Sequence, residues 1–151
     1  MQRIARALLI VGALACGLAG AAAAERGTAD AAKAMVARAI ALYRAKGSAA
    51  FAIMNRPDRG FRDRDLYIFV YGRDRKVVVQ AADPARVGLD ADSVRDADGK
   101  AYGTESLAAA TAEGAWVDYK RLNPQTGKVE QKSSWLVRVD GYVFGCGIYK
   151  P

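Results

Sequence analysis

Gly114-Ala115-Trp116-Val117-Asp118-Tyr119 opens the last third of the chain, and Asn123-Pro124-Gln125-Thr126-Gly127-Lys128 turns it into Lys132-Ser133-Ser134-Trp135-Leu136-Val137-Arg138-Val139. Asp140-Gly141 then leads into Tyr142-Val143-Phe144-Gly145-Cys146-Gly147-Ile148-Tyr149. These are β-rich runs punctuated by turn residues, predicting strands over 116–122, 128–139 and 142–149. Asp-Gly is a strong two-residue hairpin signal, because both central positions of that turn require positive φ. Consecutive hairpins of this kind make an antiparallel sheet.

Upstream, Leu66-Tyr67-Ile68-Phe69-Val70-Tyr71 and Lys76-Val77-Val78-Val79-Gln80 form another hairpin, joined by Gly72-Arg73-Asp74-Arg75. Thr28 caps a helix running to residue 46, with Ala32, Met35, Val36, Ala39, Ile40 and Tyr43 on one face, and Gly47 ends it. A short helical piece follows over 48–54. Asp83-Pro84 and Val87-Gly88 mark a long irregular crossing, and residues 104–113 read as a second helix closed by Gly114. The order is helix, two strands, helix, three strands. The predicted fold is α+β, with a long N-terminal helix laid on one face of a five-stranded antiparallel sheet.

Residues 1–24 read as a signal peptide: Arg3 and Arg6, an apolar run over 7–18, then Ala22-Ala23-Ala24 for the peptidase. An uncleaved anchor and a lipoprotein attached through Cys16 are the rivals. Cleavage after Ala24 leaves residues 25–151 as a single domain, expected in the periplasm or outside the cell. Cys146 is then a lone cysteine, so no internal disulfide can form. The formal net charge of +7 falls to about +5 without Arg3 and Arg6. In an exported chain with scattered, mixed-sign charges, that favours small anions or envelope surfaces over nucleic acid.

Catalysis has little to build on. The chain has no histidine, which removes the commonest general base and metal ligand. Cys146 lies in an apolar strand and reads as a small buried hydrophobe. Ser133 and Ser134 lack a base partner, although Ser–Lys chemistry with Lys132 is formally open. Asp96-Ala97-Asp98-Gly99 matches part of a calcium loop, but the first ligand position falls on Val94, so a polar turn fits better. No metal or other cofactor is expected, and no enzyme. A small-ligand pocket is better supplied. Alternation places Tyr67, Phe69 and Tyr71 on one face of their strand, and Val143, Gly145, Gly147 and Tyr149 on one face of the last. Glycine there lets a ligand or another backbone approach the sheet. Tyr119, Arg121 and Lys132 add the cations and neutral donors that a carboxylate needs.

Asp65-Leu66-Tyr67-Ile68-Phe69-Val70-Tyr71, Asp83-Pro84 with Val87-Gly88, Asp96-Ala97-Asp98-Gly99-Lys100, the Gly114 to Tyr119 run, Asn123-Pro124 and Lys132-Ser133-Ser134 occur in the order that resembles single Cache domains. These are bacterial extracytoplasmic, PAS-like small-molecule sensor modules. The resemblance implies a pocket on one side of the sheet for a small organic acid, amino acid or related metabolite. By position the ligand-binding candidates are Tyr67, Phe69, Tyr119 and Lys132, with Arg121 and Tyr149 beside them. Arg121 stands where family members often carry tryptophan, which points toward more acidic ligands. Cache modules usually sit in chemoreceptors and sensor kinases, so signal transduction through a membrane receptor, sensor kinase or transporter is the expected role, chemotaxis included. The alternative is an envelope protein–protein interaction module with no functional pocket.

Overall fold

The computed structural model describes residues 25–150, so the leader over 1–24 and the cleavage expected after Ala24 lie outside the described residues. Helix α1 (Ala29–Lys46) begins where the Thr28 hydroxyl accepts from the Ala31 amide, with Asp30 in its first turn and Arg44 and Lys46 in its last, each charge complementing the helix dipole. Gly47, at φ 59°, closes it by donating to the Tyr43 carbonyl. All six residues of the expected apolar stripe are buried. Helix α2 (Ala49–Met54) follows at once and runs into Asn55. The Asn55 amide donates to the Val78 carbonyl and its oxygen accepts from the Gln80 amide, pinning the α2 end to the sheet. No described helix is long and apolar enough to cross a membrane.

The sheet is antiparallel throughout and has six strands: β1 (Arg62–Asp63), β2 (Leu66–Tyr71), β3 (Val77–Gln80), β4 (Ala115–Leu122), β5 (Val129–Val139) and β6 (Tyr142–Tyr149). The order is β1-β2-β6-β5-β4, with β3 also paired to β2. Five strands were expected, and β1 is the addition. It is two charged, exposed residues long, and Arg64 at φ 55° folds it back on Leu66 and Tyr67. The Ile68 amide donates to Phe61 and the Ile68 carbonyl accepts from Ala81, so β1 and β3 lie end to end on one edge of β2. The β5–β6 turn is as expected, with Asp140 at φ 50° and Gly141 at φ 82°.

Helix α3 (Tyr102–Ala109) is placed differently from the 104–113 expectation. Ala110 is already extended, and Thr111 bridges to Val137 of β5. Arg138 accounts for the early stop: its guanidinium donates to the Leu107 and Ala110 carbonyls, taking over acceptors that another turn of helix would have used.

Both faces of the sheet are covered. On one, α1 packs with Met35 against Cys146, and Tyr43 and Phe51 gather with Tyr142 and Phe144 in an aromatic cluster. On the other, α3 and the crossing over residues 81–101 lie over the side chains of β2 and β4, with Tyr102 stacked on Tyr119 at 4.2 Å. Every β2 residue is buried as a result. The two ends of the described chain meet: Arg26 donates to the Lys150 carbonyl and pairs with Glu130, while the Gly27 amide donates to the buried Asp65 carboxylate.

Candidate functional site

Strand register assembles the site on the face away from α1. Tyr119 of β4 lies opposite Lys132 of β5, which lies opposite Tyr149 of β6, so three long side chains project from one row. Lys132 is fully buried and its ammonium has no hydrogen-bond partner among the described residues. It sits 3.6 Å from the centre of the Tyr67 ring and 4.5 Å from that of Tyr149, two cation–π contacts in place of an acceptor. The Tyr149 hydroxyl donates to the Leu122 carbonyl at 2.7 Å, and the Tyr119 and Ser134 hydroxyls share a hydrogen bond of 2.9 Å.

In front of this row lies a cleft of about 20 Å³, room for a single water. Its walls are Tyr67, Phe69 and Tyr71 of β2, Tyr119 and Arg121 of β4, Val77 and Gln80 of β3, Arg86 and Val94 of the crossing, and Tyr102 of α3. An outer hollow of about 180 Å³ adjoins it, bounded by Ala82, Asp83, Leu122 and Pro124. Tyr67, Gln80 and Arg121 border both spaces and so form the partition between them. The buried Oε1 of Gln80 has no partner among the described residues either.

Four of the six residues singled out from sequence, Tyr67, Phe69, Tyr119 and Arg121, border the cleft. Lys132 and Tyr149 do not; they lie one layer deeper, with Tyr67 over Lys132. The two β6 glycines, expected to let a ligand or another backbone approach the sheet, make room for side chains instead. A Cβ on Gly145 would fall 2.3 Å from Phe69, and one on Gly147 would fall 2.3 Å from Lys132 and Ser134. The space they leave is filled by this chain's own side chains. Sequence reasoning did not select Tyr71, Tyr102, Gln80 or Arg86. Tyr71 follows from the same alternation as Tyr67, whereas Tyr102 precedes the expected helix start and Arg86 sits in a crossing without periodicity.

The electrostatics favour donors. Burial opposes ionisation of the Tyr67 phenol, but the neighbouring Lys132 and Arg121 charges outweigh it and hold the hydroxyl below its ordinary value. Such a phenol is a stronger hydrogen-bond donor. Burial, reinforced by neighbouring tyrosines, pushes Tyr119 and Tyr71 well up, so both stay neutral. The residues considered for catalysis are engaged or inert. Burial pushes the Cys146 thiol up to about 12, and Ser134 is buried and bonded to Tyr119. Asp96 spends its carboxylate on the amides of Asp98, Lys100 and Lys120, which makes its loop a polar turn. A more open groove of about 480 Å³ runs between α1 and β5, past Val36, Ile40, Trp135 and Val137.

The fold has solved counterparts. A methyl-accepting chemotaxis protein from Vibrio parahaemolyticus RIMD 2210633 superposes with a TM-score of 0.66 at 18% identity, over 80% of this chain and 86% of that one. A periplasmic sensor domain of a chemotaxis protein gives 0.60 at 24% identity, covering 81% and 90%. A Cache chemosensory domain described for carboxylic acid recognition gives 0.59 at 18%, covering 81% and 88%. In sequence, the sensor histidine kinase MctS of Rhizobium johnstonii (strain DSM 114642 / LMG 32736 / 3841) is 34% identical over 100 residues, or 65% of this chain. The match spans only 21% of that kinase's length. The family described as single Cache domain 2 matches residues 19–149. Since that match runs through α1 and every strand of the sheet, the chain belongs to the single Cache domain 2 family of sensor domains.

Proposed function

We propose that this domain is an exported, non-catalytic sensor that binds a small carboxylate in the cleft behind Arg121 and hands its bound state to a membrane receptor, sensor kinase or transporter. One observation carries the reading: a fully buried lysine whose ammonium meets two aromatic faces and, among the described residues, no acceptor. A buried charge of this kind costs several kcal/mol unless an anion compensates it. Tyr67 stands between that charge and the cleft, so ligand entry and displacement of the Tyr67 ring are one event. The ligand then takes Lys132 as its charge partner, the acidified Tyr67 phenol as a donor and Phe69 as an apolar wall. The kinship with a sensor kinase and the solved domain described for carboxylic acid recognition point the same way.

A thermal-shift screen of residues 25–151 against carboxylates, amino acids, amines and purines tests this. Ligand at about 100 times its dissociation constant adds about 2.7 kcal/mol of stability, which raises the melting temperature by several degrees. A shift confined to carboxylates, and lost in Lys132→Met, is expected. The groove between α1 and β5, with Trp116 exposed beyond it, favours a second reading as a partner-docking module. A folded protein that responds to nothing in the screen would support that reading instead. Export itself is checked by N-terminal mass spectrometry of the mature protein, where cleavage after Ala24 is expected.

A further inference from the structure

The charge on the cleft exceeds what one carboxylate compensates. Arg86 and Arg121 both border it, and neither forms an ion pair with any described residue. Lys132, behind Tyr67, likewise has no acceptor among those residues. Among the described residues no acidic side chain lines the cleft; Asp83 borders only the outer hollow. Two arginines at the cleft and a lysine one layer behind Tyr67 thus surround a space walled by tyrosines. Unscreened like charges destabilise one another, and burial strengthens the effect.

The register also fixes their spacing. Lys132 lies opposite Tyr119, and Arg121 is two residues further along the same strand face. Diagonal neighbours of this kind sit about 7–8 Å apart, and long side chains widen or narrow the gap between their charged ends. Two carboxylates joined by a short carbon bridge fit between such cations. The partition adds to this, because Arg121 and Gln80 already face both the inner cleft and the outer hollow.

We propose that the ligand of this site is a short dianion, of the dicarboxylate class, with its inner carboxylate at Lys132 and its outer one held at the rim by Arg86 and Arg121. The proposal rests on the carboxylate reading given above and narrows it. A monocarboxylate satisfies Lys132 and leaves both arginines bare. A dianion satisfies all three cations and draws Arg121 across the opening between the two spaces.

Matched pairs tested by isothermal titration calorimetry on the exported protein decide the question: malonate, succinate and glutarate, each against its own monoamide. Each pair keeps length and shape and differs by one charge. At least one diacid is expected to bind about tenfold or more tighter than its monoamide, as a charge-assisted contact supplies. That preference should weaken as salt is raised. In Arg86→Gln and Arg121→Gln, each checked for folding by circular dichroism, the diacid-to-monoamide ratio should fall toward one. Two variants guard against one of them misfolding. Monoamides that bind as tightly as the diacids in all three pairs would overturn the dianion and leave the carboxylate pocket standing. Silence from every diacid and monoamide would overturn the dianion, and silence from acetate and propionate as well would overturn both.

Discussion

Lys132 shows what a single residue can and cannot reveal before its neighbours are placed. The sequence offered it beside Tyr119 and Arg121 as a cation for a carboxylate, and the register sets it in one row with Tyr119 and Tyr149. Its depth was not legible, because a strand pattern tells which way a side chain leaves the sheet and nothing about which ring closes over it. The same limit misread Gly145 and Gly147, whose vacated space went to Phe69 and Lys132. Lys132→Met should leave the ligand-free protein as stable or more stable, by up to about 2 kcal/mol, since a flexible apolar chain of similar length removes an uncompensated charge. Urea unfolding without ligand measures this, and a clear loss would mean that the cation–π contacts outweigh the burial of charge. Asp92 makes a pH prediction. Hydrogen bonds from Arg75 first, and from Thr104, hold its carboxyl down to about 2 from 3.8. A depressed carboxylate stabilises the fold above its unfolded pKa, and that contribution is lost as pH falls from about 4 through about 2. Wild type should therefore melt above Asp92→Asn near neutrality, with the difference shrinking across that window.

Elements were legible in proportion to their periodicity. The α1 stripe and the β2 and β4–β6 runs carry it over many residues, and their bounds came within a residue or two. β1 is too short to carry any pattern, and α3 ends where a tertiary partner, Arg138, takes its last carbonyls. No local preference encodes a cap supplied from 28 residues away. The β5–β6 turn is the opposite case, since its geometry is written in two adjacent letters. Gly141 sits at φ 82°, and a Cβ there would also meet Arg73 at 3.2 Å. Gly141→Ala should cost about 1–2 kcal/mol, read as a lower denaturation midpoint with an unchanged denaturant slope. A neutral result would show that the turn can move to another conformation.

At the scale of the molecule, the sheet is closed on both sides, and the cleft is nearly closed as well. The long crossing that forms one of its walls has no periodicity, which is why the covering of the second face could not be foreseen. The same sheet fastens the described start of the chain. Asp65 is fully buried, accepts from the Gly27 amide with one oxygen, and has no partner for the other among the described residues. It precedes Tyr67 by two positions on the same stretch of backbone, so movement of that strand bears directly on Gly27. Asp65→Ala should release this attachment and cost about 1–3 kcal/mol. Hydrogen exchange should show the Gly27 amide losing protection while the amides of β5 and β6 keep theirs; unchanged protection at Gly27 would mean that the attachment depends on Arg26 instead. That arginine spans from the start of the described chain to the Lys150 carbonyl, 3.0 Å from its guanidinium. Entry and exit are thus one side chain apart, which gives the domain the geometry of a cassette: grafted into an exposed loop of a fluorescent protein, residues 26–150 would hold the host's strands nearly as close as before, and occupancy of the cleft could be read as a change in light.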